Sequence, residues 1–116
     1  MPAGTYNFTI EQGETFSRVI TWNDSSNSPI NLTGYTARMQ IRKGGGAPEL
    51  QISLTTGGGG IVLGGVAGTI TITIPASDTA TMDAKSYVYD LELVSGSGVV
   101  TKLLKGIVSV AREVTV

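Results

Sequence analysis

The sequence contains neither cysteine nor histidine. Without cysteine the chain can form no disulfide and no thiolate metal site. Without histidine it lacks the commonest general base and the usual imidazole metal ligand. Only carboxylates and hydroxyls are left for acid–base chemistry. We therefore expect a protein that is not an enzyme and that needs no metal ion or other cofactor.

Charge is also scarce. Charged residues make up 15% of the chain and the net charge is −1, against about 25% charged residues in an average domain. No basic stripe is available for a phosphate backbone, so we expect no nucleic-acid partner. A weakly charged surface suits a protein that packs against neighbouring proteins, and it is equally compatible with an ordinary small β domain.

Long hydrophobic runs are missing as well. The longest are far too short to cross a bilayer, so we expect no membrane association. The first residues, MPAGTYNFT, lack a basic segment followed by an apolar one, and we expect no signal peptide. A length of 116 residues predicts a single domain covering residues 1–116.

The sequence does contain many short stretches in which apolar residues alternate with polar ones. Residues 87–94 are typical, because Tyr87, Tyr89, Leu91 and Leu93 recur at every second position. This period indicates a β-strand with one buried face. Similar stretches occupy residues 6–10, 15–22, 35–42, 50–54, 61–63, 68–75, 99–104 and 107–114.

Two stretches depart from plain alternation. Val19 is out of phase with Phe16, Ile20 and Trp22, which predicts either a β-bulge or a strand buried on both faces. Residues 75–84 predict a short helical turn near 77–83, capped by Ser77 or Asp78 and anchored by Met82.

About eight or nine short strands separated by turns describe an antiparallel β-sandwich or a small barrel. The sixteen glycines fit this interpretation, because most of them lie between the alternating stretches. Two glycine runs, at residues 44–46 and 57–60, resemble phosphate-binding loops only superficially. Neither is followed by lysine or by a helical pattern, so we interpret both as flexible turns.

Asp90 and Glu92 are the best candidates for a catalytic carboxylate pair. They share one strand face at a separation of about 7 Å, which is compatible with a glycosidase pair. A solvated strand face explains the same residues without any chemistry, and we favour that interpretation.

Three surface features are candidates for binding. The first is a basic strand end formed by Arg38, Arg42 and Lys43. Arg18 would join this patch if its strand paired alongside. The patch is either a docking surface for an acidic partner or a solvated face. Strand edges rich in Thr, Ser and Gly are weakly protected, and we expect a partner subunit to complete one of them. The aromatic residues suit either a sugar-binding face or core packing, which we favour; they are Tyr6, Trp22, Tyr35, Tyr87 and Tyr89.

Four segments resemble a family of small structural proteins of tailed bacteriophages, in particular the N-terminal immunoglobulin-like domain of baseplate upper and tail-fibre proteins. The segments are YNFTIEQGETFSRVITW (6–22), INLTGYTARMQIR (30–42), GTITITIP (68–75) and YVYDLELVSGSGVVTKLLKGIVSVAREVTV (87–116). The resemblance implies an immunoglobulin-like antiparallel β-sandwich, a place in the virion and many copies held by protein contacts. Catalysis is not implied.

The resemblance predicts a structural protein that connects tail, baseplate or fibre subunits, forms a homo-oligomer in the particle, and is made and assembled in the host cytoplasm. Family members often carry a receptor-binding module after this domain, which the sequence lacks, so we expect a connector rather than a receptor-binding protein. A capsid decoration (cement) protein that bridges capsomers is the alternative, and a carbohydrate-binding module is a third. The predicted protein-contact residues are Arg38, Arg42, Lys43, Gly44, Gly45, Gly46, Arg112 and Glu113.

Overall fold

The computed structural model describes residues 4–43 and 50–112. In this part of the chain there are nine strands, one 3-10 helix at Gly65–Ala67 and one short α-helix, α1, at Ala76–Thr79. The strands are β1 (Gly4–Thr5), β2 (Phe8–Glu11), β3 (Phe16–Thr21), β4 (Thr36–Lys43), β5 (Leu50–Thr55), β6 (Ile61–Leu63), β7 (Thr69–Ile74), β8 (Ser86–Val94) and β9 (Val100–Ala111).

The strands form two sheets. The larger sheet has the order β1-β9-β8-β4-β5, with β2 also paired to β9, and the smaller sheet has the order β3-β7-β6. The chain passes repeatedly between the sheets, as it does in the Greek-key connections of immunoglobulin-like domains. The predicted immunoglobulin-like β-sandwich is thus confirmed. Its pairing is antiparallel except that β1 and β2 run parallel to β9.

The core lies between the two sheets and is built by the alternation that the sequence displays. On β8, Tyr87, Tyr89, Leu91 and Leu93 point inward and are at most 5% exposed. On β7, the three isoleucines of TITITI are fully buried and meet them from the other sheet. Removing these apolar surfaces from water is the main force that holds the two sheets together.

The connection between β7 and β8 is anchored near the beginning of β8. Met82 is fully buried, as predicted. The hydroxyl of Tyr87 donates a hydrogen bond of 3.1 Å to the backbone oxygen of Asp83, four residues upstream. This arrangement corresponds to the tyrosine corner of immunoglobulin-like domains.

The predicted helix cap was wrong. Helix α1 begins after Pro75, which occupies the N-cap position with φ −62° and offers no side-chain cap. Ser77 and Asp78 lie inside the helix rather than before it. The proline ring fixes φ at a value suited to entering a helix, so a capping side chain is not needed to start this single turn.

Strand β3 corrects a second expectation. Its register with β7 is continuous from Phe16–Ile74 to Thr21–Thr69, so the strand has no bulge. Val19 points outward and is 59% exposed, so the strand is not buried on both faces. The inward positions belong instead to Phe16, Arg18 and Ile20.

The two strands predicted at 99–104 and 107–114 are one continuous strand over the described residues, β9. Its pairing with β8 shifts between Leu91 and Glu92, because Leu91 pairs with Leu104 whereas Glu92 pairs with Lys102. The bulge therefore sits at Leu103, earlier than the expected break.

Candidate protein-contact surface

The basic residues predicted on β4 are tied into the outer face of the larger sheet. The Nε atom of Arg38 lies 2.8 Å from Oε1 of Glu92 on the neighbouring strand β8. Arg42 donates a hydrogen bond of 2.6 Å from Nη2 to Oε1 of Gln40. These arginines thus interact with their own sheet.

The candidate carboxylate pair belongs to an ion-pair network. The ammonium of Lys102 lies 3.6 Å from Oδ2 of Asp90 and 3.8 Å from Oε2 of Glu92, which also binds Arg38. Such exposed pairs contribute about 0–1 kcal/mol each. The geometry is that of a charged, solvated sheet face. Across residues 4–43 and 50–112, no group of three or more acidic residues converges as a metal site would require.

Several basic residues lie toward one end of the larger sheet. Lys43 is paired with Tyr87 at the start of β8, and β9 ends at Ala111, immediately before the exposed Arg112. Adjacent strands lie about 4.8 Å apart, so the ends of β4 and β9 flank the beginning of β8. Lys85, which is not among the predicted contact residues, lies at the same end with its Nζ 5.6 Å from the Tyr87 ring centroid.

The other predicted contact residues are distributed differently. Arg38 is four residues away from Arg42 along β4, so it does not lie at this end of the sheet. Gly44, Gly45, Gly46 and Glu113 lie outside the described residues. Whether Arg42, Lys43 and Arg112 bind another protein stays a prediction.

The condition under which Arg18 would join the basic strand end is not met, because β3 belongs to the smaller sheet and does not pair with β4. Its guanidinium carbon lies 5.8 Å and 5.3 Å from the ring centroids of Phe8 and Phe16. Such contacts between a cation and aromatic rings are favourable. The Nε atom is nevertheless buried without a hydrogen-bond partner. The sequence carried a signal for this position, since Arg18 lies in phase with Phe16 and Ile20.

The aromatic residues do not line one common face. Tyr87 and Tyr89 are buried, which confirms core packing for these two. Tyr6 is 40% exposed and lies 4.8 Å from the Phe8 ring centroid. Trp22 and Tyr35 meet edge to face at 6.2 Å, and both are partly buried against the core.

Two concavities lie along the side of the sandwich where β3 faces β1, β2 and β9. We name this side the β3 seam. The first concavity, about 260 Å³, is lined by residues of β2 and of the start of β3, including Glu11, Glu14 and Arg18. The second, about 310 Å³, lies at the opposite end of β3 and is lined by Trp22, Leu103 and Leu104 among others.

Burial raises the pKa of the Tyr89 hydroxyl well above its ordinary value of 10.0, and burial likewise raises the pKa of Tyr87. The Tyr89 hydroxyl donates a hydrogen bond of 2.5 Å to the backbone oxygen of Tyr6. This bond requires the protonated form and ties the N-terminal strands to β8.

Raising the pH above about 10 is expected to lower the free energy of unfolding. Above that pH the unfolded chain has released the two tyrosine protons, whereas the folded protein still holds them, so the proton balance favours unfolding. Melting temperatures measured from about pH 8 to about pH 11 should fall, and Tyr89→Phe should reduce the slope. An unchanged slope in Tyr89→Phe would show that this hydroxyl is not the linked group.

Comparisons with protein-family models and with curated proteins find no match to this chain. Within the described ranges, no helix is both long enough and apolar enough to span a membrane. The phage-family resemblance of the sequence therefore stays a prediction.

Proposed function

We propose that this protein is a non-enzymatic structural component of a tailed-phage virion, where it connects tail, baseplate or fibre subunits through protein–protein contacts. The sequence resemblance supports this proposal, and so does the immunoglobulin-like sandwich. The observation that carries it is an uncharged outer face and an open edge on the smaller sheet. Many copies, including copies of the same chain, would be held in the particle after assembly in the host cytoplasm.

The outer face of the smaller sheet carries no charged side chain on its three strands. Its central row consists of Val19, Thr71 and Val62, which are direct cross-strand neighbours. Val19 and Val62 are 59% and 67% exposed. The outer face of the larger sheet, by contrast, carries the Arg38–Glu92–Lys102–Asp90 network. Covering the uncharged face with another protein would bury apolar atoms without removing a charge from water.

Strand β3 also forms an open edge of this sheet, and its outward side chains Ser17, Val19 and Thr21 are all uncharged. Soluble proteins usually protect such edges with lysine, proline, a bulge or an inward-pointing charged residue, and of these β3 has only the inward-pointing Arg18. An edge with this single protection remains suited to pairing with another chain, which supports a role in assembly.

Immunogold labelling of purified virions with an antibody against this protein tests the proposal. We expect label on the tail or baseplate. Label spread over the head would instead support the capsid decoration alternative, in which the same uncharged face bridges capsomers. Virions without label, from lysates that contain the protein, would contradict both.

One observation favours a carbohydrate-binding module as the second candidate. The partly buried Trp22 lines the concavity of about 310 Å³, and aromatic rings often stack on sugars. A glycan array compares the wild type with Trp22→Ala. Specific binding that is lost in a folded Trp22→Ala variant would favour this candidate over the structural role.

A further inference from the structure

Along the free edge of β3, three alternate residues have backbone groups that pair with no other strand of the described chain. The Trp22 N–H donates to the Gly68 oxygen at 2.9 Å, which fixes the hydrogen-bonding phase of the β3–β7 pair. In an antiparallel pair these bonds occur at alternate residues. Ser17, Val19 and Thr21 therefore point their backbone N–H and C=O groups away from β7, where no strand of the described chain pairs with them.

The inner side of this edge is incompletely filled. Arg18, Ile20 and Trp22 point toward the β3 seam and are each partly exposed, although they pack beside the core. The two concavities of the seam lie beside Arg18 and beside Trp22. A strand added to the edge would direct alternate side chains into these two concavities.

Arg18 indicates the charge that such a strand should carry. Its buried Nε has no acceptor in the described chain, and an unsatisfied buried donor costs about 1–3 kcal/mol. Glu11 and Glu14 line the same concavity, but neither forms an ion pair with Arg18. A carboxylate supplied from the edge would give the Arg18 guanidinium the ion-pair partner that it lacks within the described chain.

A second copy that pairs through the same edge would not supply that carboxylate. The strand sequence FSRVIT contains an arginine and no acidic residue. Symmetric pairing of two β3 strands would therefore bring two arginines to one interface, and neither strand would add a carboxylate to the Glu11 and Glu14 already present in each copy. The charge pattern favours a different chain as the occupant.

We propose that an extended segment of another protein adds to β3 as a fourth strand of the smaller sheet. This segment places an aspartate or glutamate opposite Arg18 and a bulky apolar residue opposite Trp22. The inference rests on the proposed role as a connecting protein, and it specifies the chemistry of one contact. Backbone hydrogen bonds supply affinity, and the two side-chain sites supply specificity.

The spacing of the two sites defines the partner sequence. Arg18 and Trp22 are four residues apart, or about 13 Å along a strand. The partner should therefore carry its acidic and bulky apolar residues four positions apart, with another apolar residue between them opposite Ile20. The two intervening residues face outward beside Val19 and Thr21, so uncharged residues suit them.

The test uses ¹⁵N-labelled protein and a synthetic peptide of about ten residues with this pattern, in which threonine fills the remaining positions. We expect amide shifts centred on Ser17, Val19 and Thr21. Lysine in place of the peptide's aspartate should weaken binding at least about tenfold, because it meets Arg18 with a like charge. In an Arg18→Met variant the two peptides should bind within about threefold of each other.

Backbone variants provide the matched controls. Val19→Pro removes one free-edge N–H without breaking a bond to β7, and it should abolish binding. Val19→Thr keeps the N–H and should bind as the wild type does. Ser53 lies at the open edge of β5 with its N–H also directed away from its partner strand, so Ser53→Pro should leave binding unchanged.

Other outcomes would overturn the inference. They are no amide shifts, shifts centred on β5 or β6, equal binding of the aspartate and lysine peptides by the wild type, or dimerisation of the wild type through β3. If virion labelling succeeds while the peptide fails, the connecting role stands and only the β3 contact is lost. If labelling fails while the peptide binds, the edge site stands without the virion role.

Discussion

Replacing Gly106 by alanine is expected to destabilise the protein by about 3 kcal/mol. A Cβ atom at this position would lie 2.3 Å from the backbone oxygen of Tyr6 and 2.8 Å from Oδ1 of Asn7. Real Cβ atoms do not approach other atoms so closely, so the N-terminal strands would have to move away from β9.

The obstructing atoms cannot move aside freely, because each is hydrogen-bonded. The Tyr6 oxygen accepts a bond from the Tyr89 hydroxyl, and Oδ1 of Asn7 accepts a bond of 3.0 Å from the Ile107 N–H. The side-chain oxygen of Asn7 thus takes the place of a backbone acceptor. It does so between β1 and β2, where the parallel pairing with β9 is interrupted. Alanine at Gly106 would break at least one of these bonds.

Urea unfolding followed by the fluorescence of the single tryptophan, Trp22, measures this effect. Gly57→Ala is the matched control, because a Cβ there would meet nothing within 4 Å and its φ is not positive. A Gly106→Ala variant within about 0.5 kcal/mol of Gly57→Ala would contradict the close approach.

The second large effect is expected at Thr79, the only buried polar residue in the described chain. Its hydroxyl accepts a hydrogen bond from the Gly13 N–H at 3.1 Å and donates to the Glu14 oxygen at 2.8 Å. The side chain therefore ties α1 to the turn between β2 and β3. Thr79→Val keeps the shape but leaves two backbone groups unsatisfied, and should cost roughly 2–3 kcal/mol.

Thr79→Ser separates the contribution of the hydroxyl to stability from that of the methyl group. Serine retains both hydrogen bonds, so it should recover most of the stability that valine loses. The free energies of unfolding of the two variants, measured by the same urea titration, decide the point. A serine variant that is less stable than the valine variant would show that packing of the methyl group, and not the hydroxyl, holds this turn.

Thr79 and Gly106 were not singled out by the sequence, and the reason is the same for both. Each meets its partners across a large sequence separation: the Thr79 bonds span 65 and 66 residues, and the Asn7–Ile107 bond spans 100. The spacing of apolar residues and the strand propensity of each residue describe only local structure. Gly106 fell in the gap between two predicted strands, although it lies inside β9 at a point where Tyr6 and Asn7 pass close to it.

For the candidate contact residues, too, the sequence predicted local features but not contacts between distant segments. The alternation on β4 placed Arg38 and Arg42 on one outer face, but only the pairing of β4 with β8 shows that Arg38 meets Glu92. The basic residues at the end of the sheet come from segments far apart in sequence, so Lys85 was missed. The sequence left open whether Arg18 joins the basic strand end, because alternation gives the face of a strand and does not give its neighbours.

By itself, the sequence determined which stretches are strands and which of their side chains are buried. The reason is that a two-residue period depends only on neighbouring residues, as in TITITI (Thr69–Ile74). The tertiary structure decided which strands pair, that β1 and β2 run parallel to β9, and that β3 remains an open edge. These features depend on contacts between distant segments that bury the two inner faces together. They also bring Arg18, Trp22 and the unpaired backbone of β3 to one side of the molecule.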